Sequence, residues 1–176
     1  MSQPPNPVRR VLDTSALMSG RPFEGELFTT EDVLRELRKQ EAMTPQLEAF
    51  LAVKVRVVSA SRGALAAIRK RAEVTGDAHR LSPTDEGLLA VASDLHATLV
   101  TDDYSIQNLA AVIGLAYESV LEPGIREVVR WRYRCTGCGR RFEDWAEPCP
   151  VCGAGLRTTR STGRLPRQAD RSGSHK

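Results

Sequence analysis

The chain has 176 residues, 41% hydrophobic and 27% charged, which suits one globular domain with room for a small added module. Its apolar runs are a few residues long, against the roughly 20 that a bilayer-spanning helix needs. The opening MSQPPNPVRR lacks the apolar core of a signal peptide, so neither export nor membrane insertion is expected and a cytoplasmic location is. The net charge of +3 hides a division: residues 1–120 carry 13 Lys/Arg against 16 Asp/Glu, and residues 121–176 carry 12 against 6. An acidic body with a basic C-terminal third excludes a uniformly basic nucleic-acid coat and points to a polyanion held mainly by the C-terminal part.

Residues 1–7 are Pro-rich and predicted to be flexible. Residues 8–12 (VRRVL) read as a strand, and Asp13-Thr14-Ser15 can start a helix directly after it. Residues 26–29 form a weak strand candidate. A helix is predicted from Thr30, with Glu31 and Asp32 in its first turn, where the helix dipole favours acids. A helical turn or two follows Pro45, and Val53–Val58 is rich in β-branched residues. Ser61 caps a helix to about Thr75, with Gly76-Asp77 as its stop. Ser82-Pro83-Thr84-Asp85 is a clear helix start, combining a cap, a proline at the first helical position and an acid at the third; that helix runs to about His96. Thr98–Thr101 reads as a strand, 104–113 as a helix ended by Gly114, and Leu115–Val120 as a last short strand. Strands alternating with helices imply an α/β domain over 8–122 around a mainly parallel sheet. Pro123-Gly124 marks its end, a second unit follows to residue 156, and the basic tail 157–176, with almost nothing apolar, is expected to be disordered.

All four cysteines lie in the second unit, as Cys135-Thr136-Gly137-Cys138 and Cys149-Pro150-Val151-Cys152. Two CxxC turns give four sulfurs for a closed tetrahedral Zn²⁺ site, and Gly139 and Gly153 supply the positive φ that such turns need. Two disulfides are the other reading, and they require an oxidising compartment. Four thiolates leave no open position for water, so the zinc is structural, and a unit this small needs it in order to fold. Arg130, Arg132, Arg134, Arg140 and Arg141 surround it, interleaved with Trp131, Tyr133, Phe142 and Trp145. That pattern suits phosphate contacts with base stacking; it also suits a solvated rim around a tiny aromatic core.

In the body, Asp13 ends one strand and Asp102-Asp103 follow another, the place where parallel sheets bind ligands. Helix capping is an alternative role for each. Asp85 stands on the stripe of Leu88, Leu89 and Ala92, so its carboxylate faces inward unless local capping satisfies it. Glu36 sits beside the stripe of Val33, Leu34 and Leu37. Converging acids repel one another, and Mg²⁺ or Mn²⁺ on oxygen donors resolves that repulsion. Such ions could activate water for phosphodiester cleavage. His79, His96 and His175 are scattered and suggest no triad.

The blocks VLDTSALM, VLREL, LSPTDEGLLAVA and LVTDDYSIQNLA, in that order, resemble the PIN domain, a family of metal-dependent ribonucleases. With the C-terminal CxxC…CxxC the chain is similar to the archaeal Nin-one-binding (Nob) endoribonucleases over roughly residues 8–156. The resemblance implies a Rossmann-like three-layer sandwich plus a zinc ribbon, and endonucleolytic maturation of the 3′ end of precursor small-subunit rRNA. Carried over block by block, the catalytic acids are Asp13, Glu36, Asp85 and Asp103, with Asp13, Asp85 and Asp103 as Mg²⁺/Mn²⁺ ligands. The doublet makes Asp102 a second candidate, and Thr14, Ser15 and Thr101 are expected in support. The implied partners are precursor rRNA, the pre-ribosomal particle and its assembly factors, with no membrane. Alternatives are a non-cleaving rRNA-binding assembly factor; a PIN ribonuclease acting on another RNA; a PIN toxin of a toxin–antitoxin pair, against which the appended ribbon argues; and a transcription-type zinc ribbon, which leaves the acidic body unexplained.

Overall fold

A computed structural model describes residues 7–121 and 127–164. Five strands, β1 (Arg9–Leu12), β2 (Glu26–Thr29), β3 (Val55–Val57), β4 (Thr98–Val100) and β5 (Tyr117–Glu118), form a wholly parallel sheet in the order β3-β2-β1-β4-β5. Six helices connect them: α1 (Thr14–Met18), α2 (Glu31–Lys39), α3 (Pro45–Lys54), α4 (Arg62–Thr75), α5 (Pro83–Leu95) and α6 (Tyr104–Ile113). Val11, Leu12, Leu27, Leu88, Leu89, Leu99 and Leu109 are almost fully buried between the layers. The chain moves outward from β1 to β3 on one side, then crosses to β4 on the other. The switch between β1 and β4 leaves a crevice at their carboxyl ends, where an open α/β sheet receives its ligand.

The helix starts follow local chemistry. Thr30, Thr44 and Ser61 each accept a bond from a first-turn N–H, and Ser82 and Asp85 form a reciprocal capping box at the head of α5. One boundary moves: α3 continues through Val53 and Lys54, both exposed, so the β-branched run becomes a strand only at Val55. The last strand of the body is shorter than expected, two residues instead of six. Among the described residues no helix is long and apolar enough to cross a membrane.

The C-terminal unit is an antiparallel sheet of β6 (Glu127–Cys135), β7 (Arg141–Phe142) and β8 (Leu156–Arg164) in the order β7-β6-β8. The strand β8 corrects one expectation. Residues 157–164 are a strand: with Leu156 they pair with β6 along nine positions, from Cys135↔Leu156 to Glu127↔Arg164. Low apolar content argued for disorder, but a strand registered by a cysteine knuckle at its start is held by backbone pairing rather than burial. Its threonines also favour extended backbone. The expectations for residues 1–6, for the Pro123-Gly124 boundary and for 165–176 fall outside the described residues.

Candidate active site and metal centre

Asp13 leaves the end of β1 and caps α1, so one feature of the sequence serves both readings at once. Its Oδ1 accepts the Thr14 N–H at 2.5 Å, and its Oδ2 accepts the Thr101 hydroxyl at 2.7 Å and the Ser15 hydroxyl at 3.4 Å. Thr101, itself fully buried after β4, also accepts the Asp103 N–H on its hydroxyl at 3.0 Å. This one hydroxyl therefore ties together the chain leaving β1 and the chain leaving β4.

Asp103 caps α6, accepting the N–H groups of Ser105 and Ile106 on Oδ1 at 2.6 and 3.2 Å. Glu36, from the middle of α2, is joined to the site by the Thr14 hydroxyl at 3.3 Å. Asp85 accepts the Ser82 N–H at 2.7 Å through Oδ2 and is half-buried.

Charge effects link these four acids to one another. Burial pushes Asp13 above its ordinary value; bonds from Thr101 and Thr14 oppose this, and the charges of Asp103 and Glu36 reinforce it. Burial likewise raises Asp85, to about 6, with the Ser82 bonds opposing and the charges of Asp103 and Asp13 adding. Among the described residues no ion pair reaches any of the four. Oxygen donors with uncompensated negative charge suit a hard divalent cation.

Asp102 faces elsewhere. Its carboxylate accepts the Val120 N–H at 2.7 Å and the Leu121 N–H at 3.1 and 3.2 Å, while its own N–H donates to the Ser15 hydroxyl at 3.1 Å. It fastens the chain leaving β5 beside the end of β4. Ser15 thus bridges Asp13 and the Asp102 backbone.

The second centre lies in the C-terminal sheet. All four cysteine sulfurs lie within 4.8 Å of one another, with Cys135 Sγ 3.3 Å from Cys152 Sγ and Cys138 Sγ 3.9 Å from Cys149 Sγ. The cysteines are free, so the disulfide reading does not hold. A metal–sulfur bond of about 2.3 Å places tetrahedral sulfurs about 3.8 Å apart, which matches this cluster. The N–H groups of Gly137 and Cys138 point at Cys135 Sγ from 3.3 and 3.4 Å. Gly139 and Gly153 take φ of 71° and 75°, as the two turns require. Gly137 is needed for space: a Cβ there would stand 2.8 Å from that of Ala154 and 3.2 Å from Cys152 Sγ.

The basic and aromatic residues of the ribbon separate by strand alternation. On β6, Arg132 and Arg134 are exposed, and Arg140 and Arg141 are exposed beyond the first knuckle; the Arg130 side chain lies outside those described. Arg132 pairs with Glu143 at 3.2 Å, a half-exposed contact of small energy. Trp131 and Tyr133 turn the other way, onto the end of α4. The Trp131 Nε1–H donates to Asp77 at 2.9 Å and the Tyr133 hydroxyl donates to the Gly76 carbonyl at 3.2 Å. Trp145 packs edge-on to Tyr133, with ring centroids 5.1 Å apart. These contacts, and Asp77 as a fully buried carboxylate, were missed in the sequence, where Gly76-Asp77 carried only the signal of a helix stop.

A family model described as the PIN domain of ribonuclease matches residues 10–95. The endoribonuclease Nob1 of Pyrococcus abyssi is 37% identical over 149 residues, which is 84% of this chain and 91% of its own length. Nob1 of Methanothermobacter thermautotrophicus is 34% identical over 154 residues, covering 84% and 90%. Ribonuclease VapC1 of Thermoplasma acidophilum is 37% identical over 145 residues, covering 81% of this chain and 74% of its own. PIN fold, acidic crevice, four-cysteine ribbon and near-full-length similarity agree, and the chain belongs to the Nob1 family of PIN-domain endoribonucleases.

Proposed function

We propose that the chain cuts precursor small-subunit rRNA at its 3′ end, within a pre-ribosomal particle in the cytoplasm, with Mg²⁺ or Mn²⁺ at the acidic crevice and Zn²⁺ in the ribbon. What supports this reading is the mutual charge effect that links Asp13 to Asp103 and Glu36, and Asp85 to Asp103 and Asp13, beside the ends of β1 and β4, with burial raising Asp13 and Asp85 as well. A bound Mg²⁺ or Mn²⁺ would supply Lewis-acid activation of water and neutralise charge building on the phosphate. Asp13, Asp85 and Asp103 are assigned as the groups that hold it, while Asp102 is assigned to the loop after β5.

The rest belongs to the chain's own residues. Thr101 and Thr14 hold Asp13 with its lone pairs directed, so that it enters the reaction pre-organised. The Thr14 hydroxyl keeps Glu36 turned toward the same crevice. Water attacks phosphorus in line, leaving a 5′-phosphate and a 3′-hydroxyl. Arg132, Arg134, Arg140 and Arg141 present an exposed basic face for RNA phosphates, and Arg130 is assigned with them by its place in the strand.

Purified protein incubated with a small-subunit rRNA 3′-precursor fragment and Mn²⁺ tests the reading, beside an Asp13→Asn/Asp85→Asn variant. A single cut, lost in the variant and with EDTA, is expected. Binding without cutting, repeated on pre-ribosomal particles, would support a non-cleaving assembly factor instead.

A further inference from the structure

Asp77 lies at the αL turn after α4 and is fully buried. A buried carboxylate is costly unless hydrogen-bonded, and its partners come from three parts of the chain. The Thr75 hydroxyl donates at 2.7 Å, the Asn108 amide of α6 at 3.2 and 3.3 Å, and Trp131 of the ribbon at 2.9 Å. The guanidinium of Arg80 lies over the Trp131 ring, 3.4 Å from its centroid. It pins the indole by its face while Asp77 holds it by its edge.

Two further contacts sit beside this pair. Tyr133 bonds the Gly76 carbonyl, and His79 packs on Trp145 with ring centroids 5.0 Å apart. Trp131 and Tyr133 lie on β6, whereas Trp145 lies beyond β7, so the contacts fix a direction as well as a distance. Gly76 is required twice. It takes φ 76°, and a Cβ there would stand 2.9 Å from the Tyr133 hydroxyl and 3.1 Å from the Trp131 Cβ.

We propose that the ribbon is latched to the nuclease body through Asp77, and that this latch sets the register in which RNA gripped by the ribbon reaches the acidic crevice. The geometry assigns each face of β6 its task. Trp131 and Tyr133 dock on the body, and the alternate residues Arg132 and Arg134 stay exposed, held at a fixed angle to the crevice. The latch stands on its own contacts; the register rests on the RNA-cutting function proposed above.

The test is backbone ¹⁵N relaxation on the full chain purified with its ribbon metal. Body and ribbon amides should share one rotational correlation time. In a Trp131→Phe/Tyr133→Phe variant, which keeps an aromatic ring at each position and loses both polar contacts, the ribbon's time should fall below the body's. Arg80→Ala alters no ribbon residue and should loosen the ribbon in the same direction. Separate times in the unaltered protein, or one shared time in the double variant, would overturn the latch. On the precursor fragment with Mn²⁺, the unlatched protein should scatter its cuts over neighbouring phosphodiesters while binding RNA as well as before. Cuts that stay at one bond despite an unlatched ribbon would overturn the register. Failure of the unaltered protein to cut this RNA counts against the substrate, and the relaxation result still decides the latch.

Discussion

Replacing Asp85 by asparagine should raise the thermal stability of the protein at neutral pH when Mg²⁺ and Mn²⁺ are absent. Folding moves this carboxyl from 3.8 to about 6, because burial and the charges of Asp103 and Asp13 disfavour its ionised form. The folded state therefore holds its proton more tightly than the unfolded chain. Stability from this group is complete below about pH 3.8 and is lost as pH rises through about 6. A rise of that size corresponds to about 3 kcal/mol, and screening by water at this half-exposed group cuts it to about 1–2 kcal/mol. Asparagine removes the charge, and its amide oxygen can still accept the Ser82 N–H that completes the capping box. For a chain of this size the gain equals about 2–8 °C in Tm. Thermal melts of both proteins at about pH 7.5 and about pH 4.5 measure it, and the difference should shrink at the lower pH. Adding Mn²⁺ should stabilise the unaltered protein more than the variant, since the ion binds only the folded site. A variant that melts lower at neutral pH without divalent ions, or gains equally at both pH values, would refute the crowded-carboxylate argument.

Asp102→Ala should cost about 1–3 kcal/mol by leaving the Val120 and Leu121 N–H groups without their acceptor, and metal-dependent cutting should survive; Tm and cleavage assays separate the two. Cys149→Ser should empty the ribbon metal site, read as metal content after purification, and should lower RNA binding while the body retains its helical circular dichroism. Removing Arg132 and Arg134 together should weaken RNA binding for all sequences alike. The slope of log affinity against log salt should also fall, by about one per lost phosphate contact, as filter binding over a salt series would show.

Much of the site was legible because each acid carries a local signal. Asp13 and Asp103 follow strands, and Ser82-Pro83-Thr84-Asp85 announces both a helix start and an inward carboxylate. The structure unites the two readings offered for Asp85: Oδ2 serves the capping box, while the charge still feels Asp13 and Asp103. The Asp102-Asp103 doublet was not legible, since both residues follow β4 and only the path of the chain after β5 turns one toward Val120. Asp77 was hidden for a related reason. Its partners Asn108 and Trp131 are 31 and 54 residues away, and no local pattern encodes such a meeting. The strand β8 escaped because composition registers apolar burial and is blind to backbone pairing.

The division of charge along the chain acquires a physical reason at the site. A crevice whose carboxylates already repel one another also repels a phosphate backbone, so the body by itself attracts RNA poorly until a cation enters. Binding must be supplied from outside the crevice, and the exposed arginines of the ribbon stand where strand alternation keeps them clear of the docked aromatic face. On the proposed function, affinity and chemistry are carried by different surfaces with opposite charge. Such an arrangement cuts at a defined bond only if the two surfaces keep a defined relation, and the proposed latch at Asp77 would supply it.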